Sequence, residues 1–221
     1  MIDHATQRLN MVESQVRPSD VTDRRITRAM RELARENFVP GPLKSIAYAD
    51  EHLKVSDLGG RQRYLLAPRL LAKLVQLLDI EADGLVLDIG PATGYSTALL
   101  ARLAQAVVAV EEDARLAERT QETLARLGVD NAIVITGPMR DGARDEGPYD
   151  AILLNGAVTD VPAALLDQLK DGGRCAAVCV ENGVGRAVLW RRHGTTFDRR
   201  PAFDASAPYL PGFEPVAGFV F

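Results

Sequence analysis

The sequence predicts an α/β protein: a doubly wound, mostly parallel sheet with an N-terminal helical extension. Three observations carry that prediction. From Gly84 onward, short apolar runs alternate with stretches of helical periodicity, the pattern of βαβ units that assemble a parallel sheet. The first run, Leu85–Ile89, breaks at Gly90-Pro91-Ala92-Thr93-Gly94, and a helical stretch follows. The second, Ala106–Val110, ends on the acidic pair Glu111-Glu112. Strand, glycine turn, helix, strand and carboxylate make a nucleotide-binding unit. Its glycines admit close backbone approach, and its acid accepts hydrogen bonds from ribose hydroxyls.

Taken in order, residues 1 to 35 read as two helices. The first spans Thr6 to Val16 and breaks at Arg17-Pro18, and Ser19 or Asp20 is placed to cap the second. Val21, Ile26, Met30 and Leu33 share one face of that second helix. Two prolines and a glycine in Phe38-Val39-Pro40-Gly41-Pro42 end it, because proline cannot continue a helix. Ala47 to Ser56 reads as a short edge hairpin, and Gly59 to Tyr64 as a polar, flexible loop. Pro68 opens a helix through Leu78, with Leu70, Leu71, Leu74, Val75 and Leu78 at helical spacing. Strands are expected at Leu85–Ile89, Ala106–Val110, Ala132–Thr136, Ala151–Leu154 and Arg174–Val180. Helices are expected at Tyr95–Ala104, Ala114–Leu127 and Val161–Leu169. Lys170-Asp171-Gly172-Gly173 reads as a sharp turn, and Val188–Arg191 and Gly218–Phe221 as antiparallel edge strands. The extension and its loop occupy 1–80 and the nucleotide-binding part 81–221, together one compact unit.

At 221 residues the chain fits one α/β domain with an extension. Its formal charge of −4 gives no electrostatic case for nucleic acid or an anionic membrane as partner. The first ten residues lack the apolar core of a secretory signal, and no stretch approaches the roughly 18 apolar residues of a membrane span. A cytoplasmic monomer is expected. Cys175 and Cys179 fall on one face of a strand, too far apart along it for a zinc or redox pair, and read as buried, reduced side chains. His4, His52 and His193 lack metal-ligand spacing, and no metal is expected.

The spacing Gly90-x-Ala92-x-Gly94 lacks the third glycine of a dinucleotide fingerprint, and no G-K-[ST] of a P-loop is present. Asp88, just before the turn, would repel a pyrophosphate and suits a cationic ligand. D-I-G-x-A-x-G resembles the first motif of class I S-adenosylmethionine-dependent methyltransferases, whose donor carries a sulfonium and an ammonium. The resemblance implies a Rossmann-like sheet of that type, S-adenosylmethionine as cofactor and S-adenosylhomocysteine as product.

The N-terminal half carries more specific motifs. Met11-Val12-x-x-Gln15-Val16-x-Pro18, Ala29-Met30-Arg31-x-Leu33-x-Arg35-Glu36-x-Phe38-Val39-Pro40 and Lys44-x-x-Ala47-Tyr48-x-Asp50 resemble the protein-L-isoaspartate O-methyltransferase family. The likeness continues through Gly94-Tyr95-x-Thr97, Leu127-Gly128-x-x-Asn131, Pro148-Tyr149-Asp150-Ala151-Ile152 and Gln168-Leu169-Lys170-x-Gly172-Gly173-Arg174. It implies methylation of isoaspartyl carboxylates in proteins or peptides, a repair reaction. It also implies donor contacts from Asp88 toward the ammonium, from the turn Gly90, Ala92, Gly94 and Tyr95, from Glu111 to the ribose, and from Glu112, Pro138 and Met139 at the adenine. Asn155 completes the donor set. Arg61, Arg63, Tyr64 and Leu66 are the expected acceptor residues.

The sequence departs from the family at the acceptor loop. Where the family has a pattern resembling G-Q-T-I-S-Q-P, Tyr64 stands at the threonine and Leu66 at the serine, anchored on Pro68. Gly137-Pro138-Met139 stands for the family's G-D-G, with Asp141 nearby; Asn155-Gly156-Ala157 stands where a threonine and small residues are usual. These departures keep two other readings open: a methyltransferase of the same lineage with a different, small acceptor, and a non-catalytic cofactor-binding or interaction protein. Transfer to a carboxylate ionised at neutral pH needs no general base, so no catalytic acid or base is assigned.

Overall fold

The computed structural model describes residues 3–58 and 60–215. Asp3 accepts hydrogen bonds from the Ala5 and Thr6 amides and so caps α1 (His4–Met11). The helix widens to a π-turn over Val12–Val16 and tightens to a 3₁₀ turn at Arg17–Ser19, where Pro18 interrupts it. The cap of α2 (Arg24–Glu32) is Asp23 and not Ser19 or Asp20; Asp20 takes a left-handed conformation, φ 64°, that turns the chain. Met11, Val16, Ile26, Met30 and Phe38 bury into one cluster with α3 (Pro68–Leu78) and one face of the main sheet.

β1 (Leu53–Leu58) and β2 (Arg61–Leu65) pair as an antiparallel hairpin. This corrects the expected loop: Arg61 to Tyr64 lie in a strand, and the hairpin sits further along the chain than Ala47–Ser56. Period-2 alternation explains the difference, since Arg63 and Leu65 are buried on one face while Gln62 and Tyr64 on the other are exposed and half-buried. A strand whose inward position is an arginine carries no hydrophobic signal.

The main sheet comprises β3 (Leu85–Ile89), β4 (Ala106–Glu111), β5 (Ala132–Thr136), β6 (Tyr149–Val158), β7 (Leu169–Glu181), β8 (Val184–His193) and β9 (Thr196–Asp204). The helices among them are α4 (Tyr95–Ala101), α5 (Ala114–Arg126) and α6 (Ala163–Leu166). Strand order is β5-β4-β3-β6-β7-β8-β9. The first five are parallel, and β8 and β9 add an antiparallel meander. Side chains alternate between two cores. Val86, Leu153 and Val178 face the extension, while Leu87, Ile89, Leu154, Cys175 and Cys179 face the other side. The two cysteines are free, buried and on one face; burial raises both thiols, that of Cys179 to about 11.

Two further expectations are corrected. α6 is much shorter than Val161–Leu169, and Lys170–Gly173 belongs to β7, where pairing shifts between Tyr149↔Leu169 and Ala151↔Arg174 around Gly172 at φ 79°. β9 was not expected: it is a polar, exposed edge strand containing Pro201, which weakens the alternation signal. The proposed strand Gly218–Phe221 lies outside the described residues. After β9, residues 208–213 form a strap over the carboxyl end of β6. The Ala157 amide donates to the Pro208 carbonyl and the Leu210 amide to the Ala157 carbonyl, both at 2.8 Å.

Candidate active site

Strand order reverses at β3, which lies between β4 and β6. The crevice at the carboxyl ends of these strands is where open α/β sheets bind ligands. The turn after β3 places Gly90, Ala92 and Gly94 at φ 68°, 54° and 90°. Two glycines supply this geometry without strain. Thr120 Oγ1 donates to the Ala92 carbonyl at 2.7 Å and braces the alanine between them. A Cβ on Gly94 would lie 2.6 Å from Thr120 Cγ2, and one on Gly90 would lie 2.4 Å from Leu210 Cδ1 and 3.1 Å from Met139 Sδ. That side of Gly90 therefore belongs to the protein's own strap.

Asp88 is fully buried beneath the turn. Its Oδ2 accepts from Ser96 Oγ at 2.8 Å and Thr97 Oγ1 at 2.7 Å, and its Oδ1 from Asn155 Nδ2 at 2.5 Å. Burial raises its carboxyl to about 6, opposed by those three hydrogen bonds and reinforced by Glu111. Asn155 also donates to the Ile89 carbonyl at 3.1 Å. Asp88 and Asn155 are thus brought together as one network behind the turn.

Glu111, at the end of β4, is 0% exposed and faces Arg63 of β2, itself 3% exposed. Arg63 Nη2 and Nε reach Glu111 Oε1 at 2.9 and 3.0 Å. The neighbouring Arg61–Glu112 pair closes at 2.6 Å on the surface. The hairpin lies across the acidic end of β4 through two arginine–glutamate pairs. Neither was foreseen, because both partners were read as contacts to ligands. Removing one member of a buried ion pair costs about 3–5 kcal/mol, whereas an exposed pair contributes about 0–1 kcal/mol. Arg63 therefore holds the hairpin down, and Arg61 adds little.

Three expected site residues lie elsewhere. Leu66 is 3% exposed and packs in the core beside the extension, where the sequence reading had it at the acceptor. Tyr95 is fully buried, edge-on to Phe38 at 5.4 Å and under the Arg35 guanidinium at 4.7 Å. It joins the extension to the turn and does not line the crevice. Pro138 is exposed, while Met139 is buried against Gly90. The Asp141 side chain is exposed too. Tyr64, half-buried, donates its hydroxyl to Gln62 Oε1 at 2.6 Å.

Sequence reasoning missed two residues that shape the site. Arg35, fully buried, donates to the Ala47 and Leu66 carbonyls at 2.8 Å each and so fixes the end of β2. Leu210 seats the strap on Gly90 and Gly156, where a Cβ on Gly156 would lie 2.9 Å from Leu210 Cβ. The signal was present in Gly156 itself: a glycine late in a buried strand marks a close approach by another backbone.

The sheet order, the glycine turn and the acidic ends of β3 and β4 define a class I methyltransferase fold. The model of the family described as Protein-L-isoaspartate(D-aspartate) O-methyltransferase matches residues 6–196. The Protein-L-isoaspartate O-methyltransferase of Methanoculleus marisnigri is 40% identical over 77% of this chain and 76% of its own length. Protein-L-isoaspartate O-methyltransferase 1 of Syntrophobacter fumaroxidans is 37% identical over 79% of each. A solved protein-L-isoaspartate O-methyltransferase superposes with a TM-score of 0.82 at 27% identity, covering 93% of this chain and 66% of that one. A structure from Plasmodium falciparum, titled as a putative protein-L-isoaspartate O-methyltransferase in complex with S-adenosyl-L-homocysteine, shares the fold with a TM-score of 0.76 at 19% identity, over 95% and 99% of the two chains. This chain belongs to the protein-L-isoaspartate O-methyltransferase family.

Proposed function

We propose that this protein transfers a methyl group from S-adenosylmethionine to the side-chain carboxylate of isoaspartyl residues in proteins or peptides. The observation that carries the reading is the turn Gly90-Pro91-Ala92-Thr93-Gly94, held in left-handed geometry between the buried acids Asp88 and Glu111. The donor set fits a ligand with cationic and ribose groups and no phosphate. A backbone free of side chains admits the methionyl end, Asp88 supplies negative potential toward its ammonium, and Glu111 offers oxygens to ribose hydroxyls. Glu112 and Met139 border the adenine side, with Pro138 at its exposed rim.

When bound, S-adenosylmethionine supplies a methyl carbon made electrophilic by its sulfonium. The chain's own part is to orient and to exclude water. Fixing reactants in line is worth roughly 7–11 kcal/mol, and an ionised carboxylate needs no base. Arg61, Arg63 and Tyr64, on the hairpin strand nearest the crevice, are the chain's groups for holding that carboxylate; a guanidinium binds it in bidentate fashion. The reading takes the enzyme as a cytoplasmic monomer; the two free cysteines suit a reducing compartment. Among the described residues no helix is long and apolar enough to cross a membrane.

The test begins with calorimetry. Wild type should bind S-adenosylhomocysteine, and Glu111→Gln should weaken that binding at least about tenfold, the 1.4 kcal/mol of a lost charged hydrogen bond. Unchanged affinity in Glu111→Gln would place the ribose elsewhere.

A further inference from the structure

The Arg63–Glu111 pair sets two uses of one carboxylate against each other. Glu111 Oε1 already accepts from Arg63 Nη2 at 2.9 Å, from Arg63 Nε at 3.0 Å and from the Asp113 amide at 3.2 Å. Its Oε2 lies 3.3 Å from Arg63 Nε. Two ribose hydroxyls and a forked guanidinium therefore compete for the same lone pairs. Among the described residues Arg63 has no other anion: its Nη1 reaches only the Gln62 carbonyl, at 3.5 Å. A guanidinium displaced from Glu111 while still out of water is strongly disfavoured unless another anion takes it.

A place for that anion lies on the same strand. Arg61 shares a face of β2 with Arg63. With Gln62 and Tyr64 of the other face, Arg61 lines a cleft of about 260 Å³ bounded opposite by Pro208, Tyr209 and Pro211 of the strap; Arg63 lies next to Arg61, behind the cleft and outside its lining. Glu214 also borders it and is engaged by the Gly212 amide at 2.7 Å. Aromatic and proline walls with arginine at one side suit an extended peptide carrying a carboxylate.

We propose that Arg63 exchanges anions during the reaction. The donor's ribose takes Glu111, and Arg63 turns to the acceptor carboxylate in the cleft between hairpin and strap. The donor therefore binds first and releases the acceptor's cationic anchor. This inference rests on the methyltransferase reading above, with Glu111 at the ribose.

The experiment has a donor arm and an acceptor arm. In calorimetry with S-adenosylhomocysteine alone, Arg63→Met removes the competitor and should bind about tenfold more tightly than wild type. Arg63→Lys keeps the charge without the fork and should fall between. In fluorescence anisotropy, a labelled isoaspartyl peptide should bind wild type at least about tenfold more tightly when S-adenosylhomocysteine is saturating, and Arg63→Met should lose that gain. Donor affinity that is unchanged or weaker in both variants overturns the exchange. So does wild-type peptide binding that is indifferent to the donor, a result that needs no variant to fold. A wild type that binds no S-adenosylhomocysteine would overturn instead the methyltransferase reading itself.

Discussion

Ala92 holds φ 54° with a side chain attached, a conformation that costs an L-residue about 1–2 kcal/mol. Ala92→Gly removes that cost but loosens the unfolded chain by about 0.4–1 kcal/mol. The net expectation is a gain of roughly 0.5 kcal/mol in urea unfolding; a loss would show that Thr120 already relieves the strain. Asp88 acts through pH. Its folded carboxyl titrates near 6 against an ordinary value near 3.8, so its favourable contribution is complete below about pH 3.8 and fades as pH rises through 6. The whole loss is roughly 3 kcal/mol, about 1 kcal/mol of it between pH 5 and 7. Wild-type stability should fall across that interval, and Asp88→Asn should flatten the fall. Donor affinity should run the other way, weakening below pH 6 as the carboxylate loses its charge. At this scale the acids of the crevice were legible, because a strand end before a glycine turn fixes where a side chain must be. The Arg63–Glu111 pair was not legible, because its partners lie 48 residues apart. The burial of Leu66 was not legible either, because aligning it with a serine cannot reveal which way the chain faces.

Two elements close the crevice, and each was only partly readable. The hairpin was seen as a loop, since two arginines and a glutamine hide its alternation. The strap was not seen at all: Pro208 to Phe213 has no period, and its backbone bonds to Ala157 and Thr159 and its seat on Gly90 and Gly156 are what give it structure. Gly156→Ala should test that seat directly. The added methyl would meet Leu210 Cβ at 2.9 Å, the Leu210 amide nitrogen at 3.0 Å and the Pro208 carbonyl at 3.1 Å, and overpacking of this kind costs about 1–3 kcal/mol. The expected result is a lower urea midpoint together with faster proteolysis after residue 205. Lost stability without faster cleavage would mean that β6, and not the strap, absorbs the strain. The buried helices and parallel strands were legible because long apolar periodicity survives any tertiary context. β9 was not, because its residues mostly face solvent, and α6 was read too long, because one turn is too short to show a period.

The molecule as a whole is a methyl-transfer fold whose acceptor side departs from the family pattern, while its donor side keeps Asp88 and Glu111 and has Pro138 where the family pattern has an acid. We propose that the departure leaves isoaspartyl chemistry in place, with arginine on β2 holding the carboxylate that a hydroxyl loop holds in the family pattern. The direct measurement is transfer of labelled methyl from S-adenosylmethionine to an isoaspartyl peptide, beside the same peptide with ordinary aspartate. Selective labelling of the isoaspartyl peptide is expected, with the label released as methanol in mild base, as a carboxyl ester requires. Equal labelling of both peptides, or none under conditions where the protein binds its donor, would contradict it and point to a different acceptor.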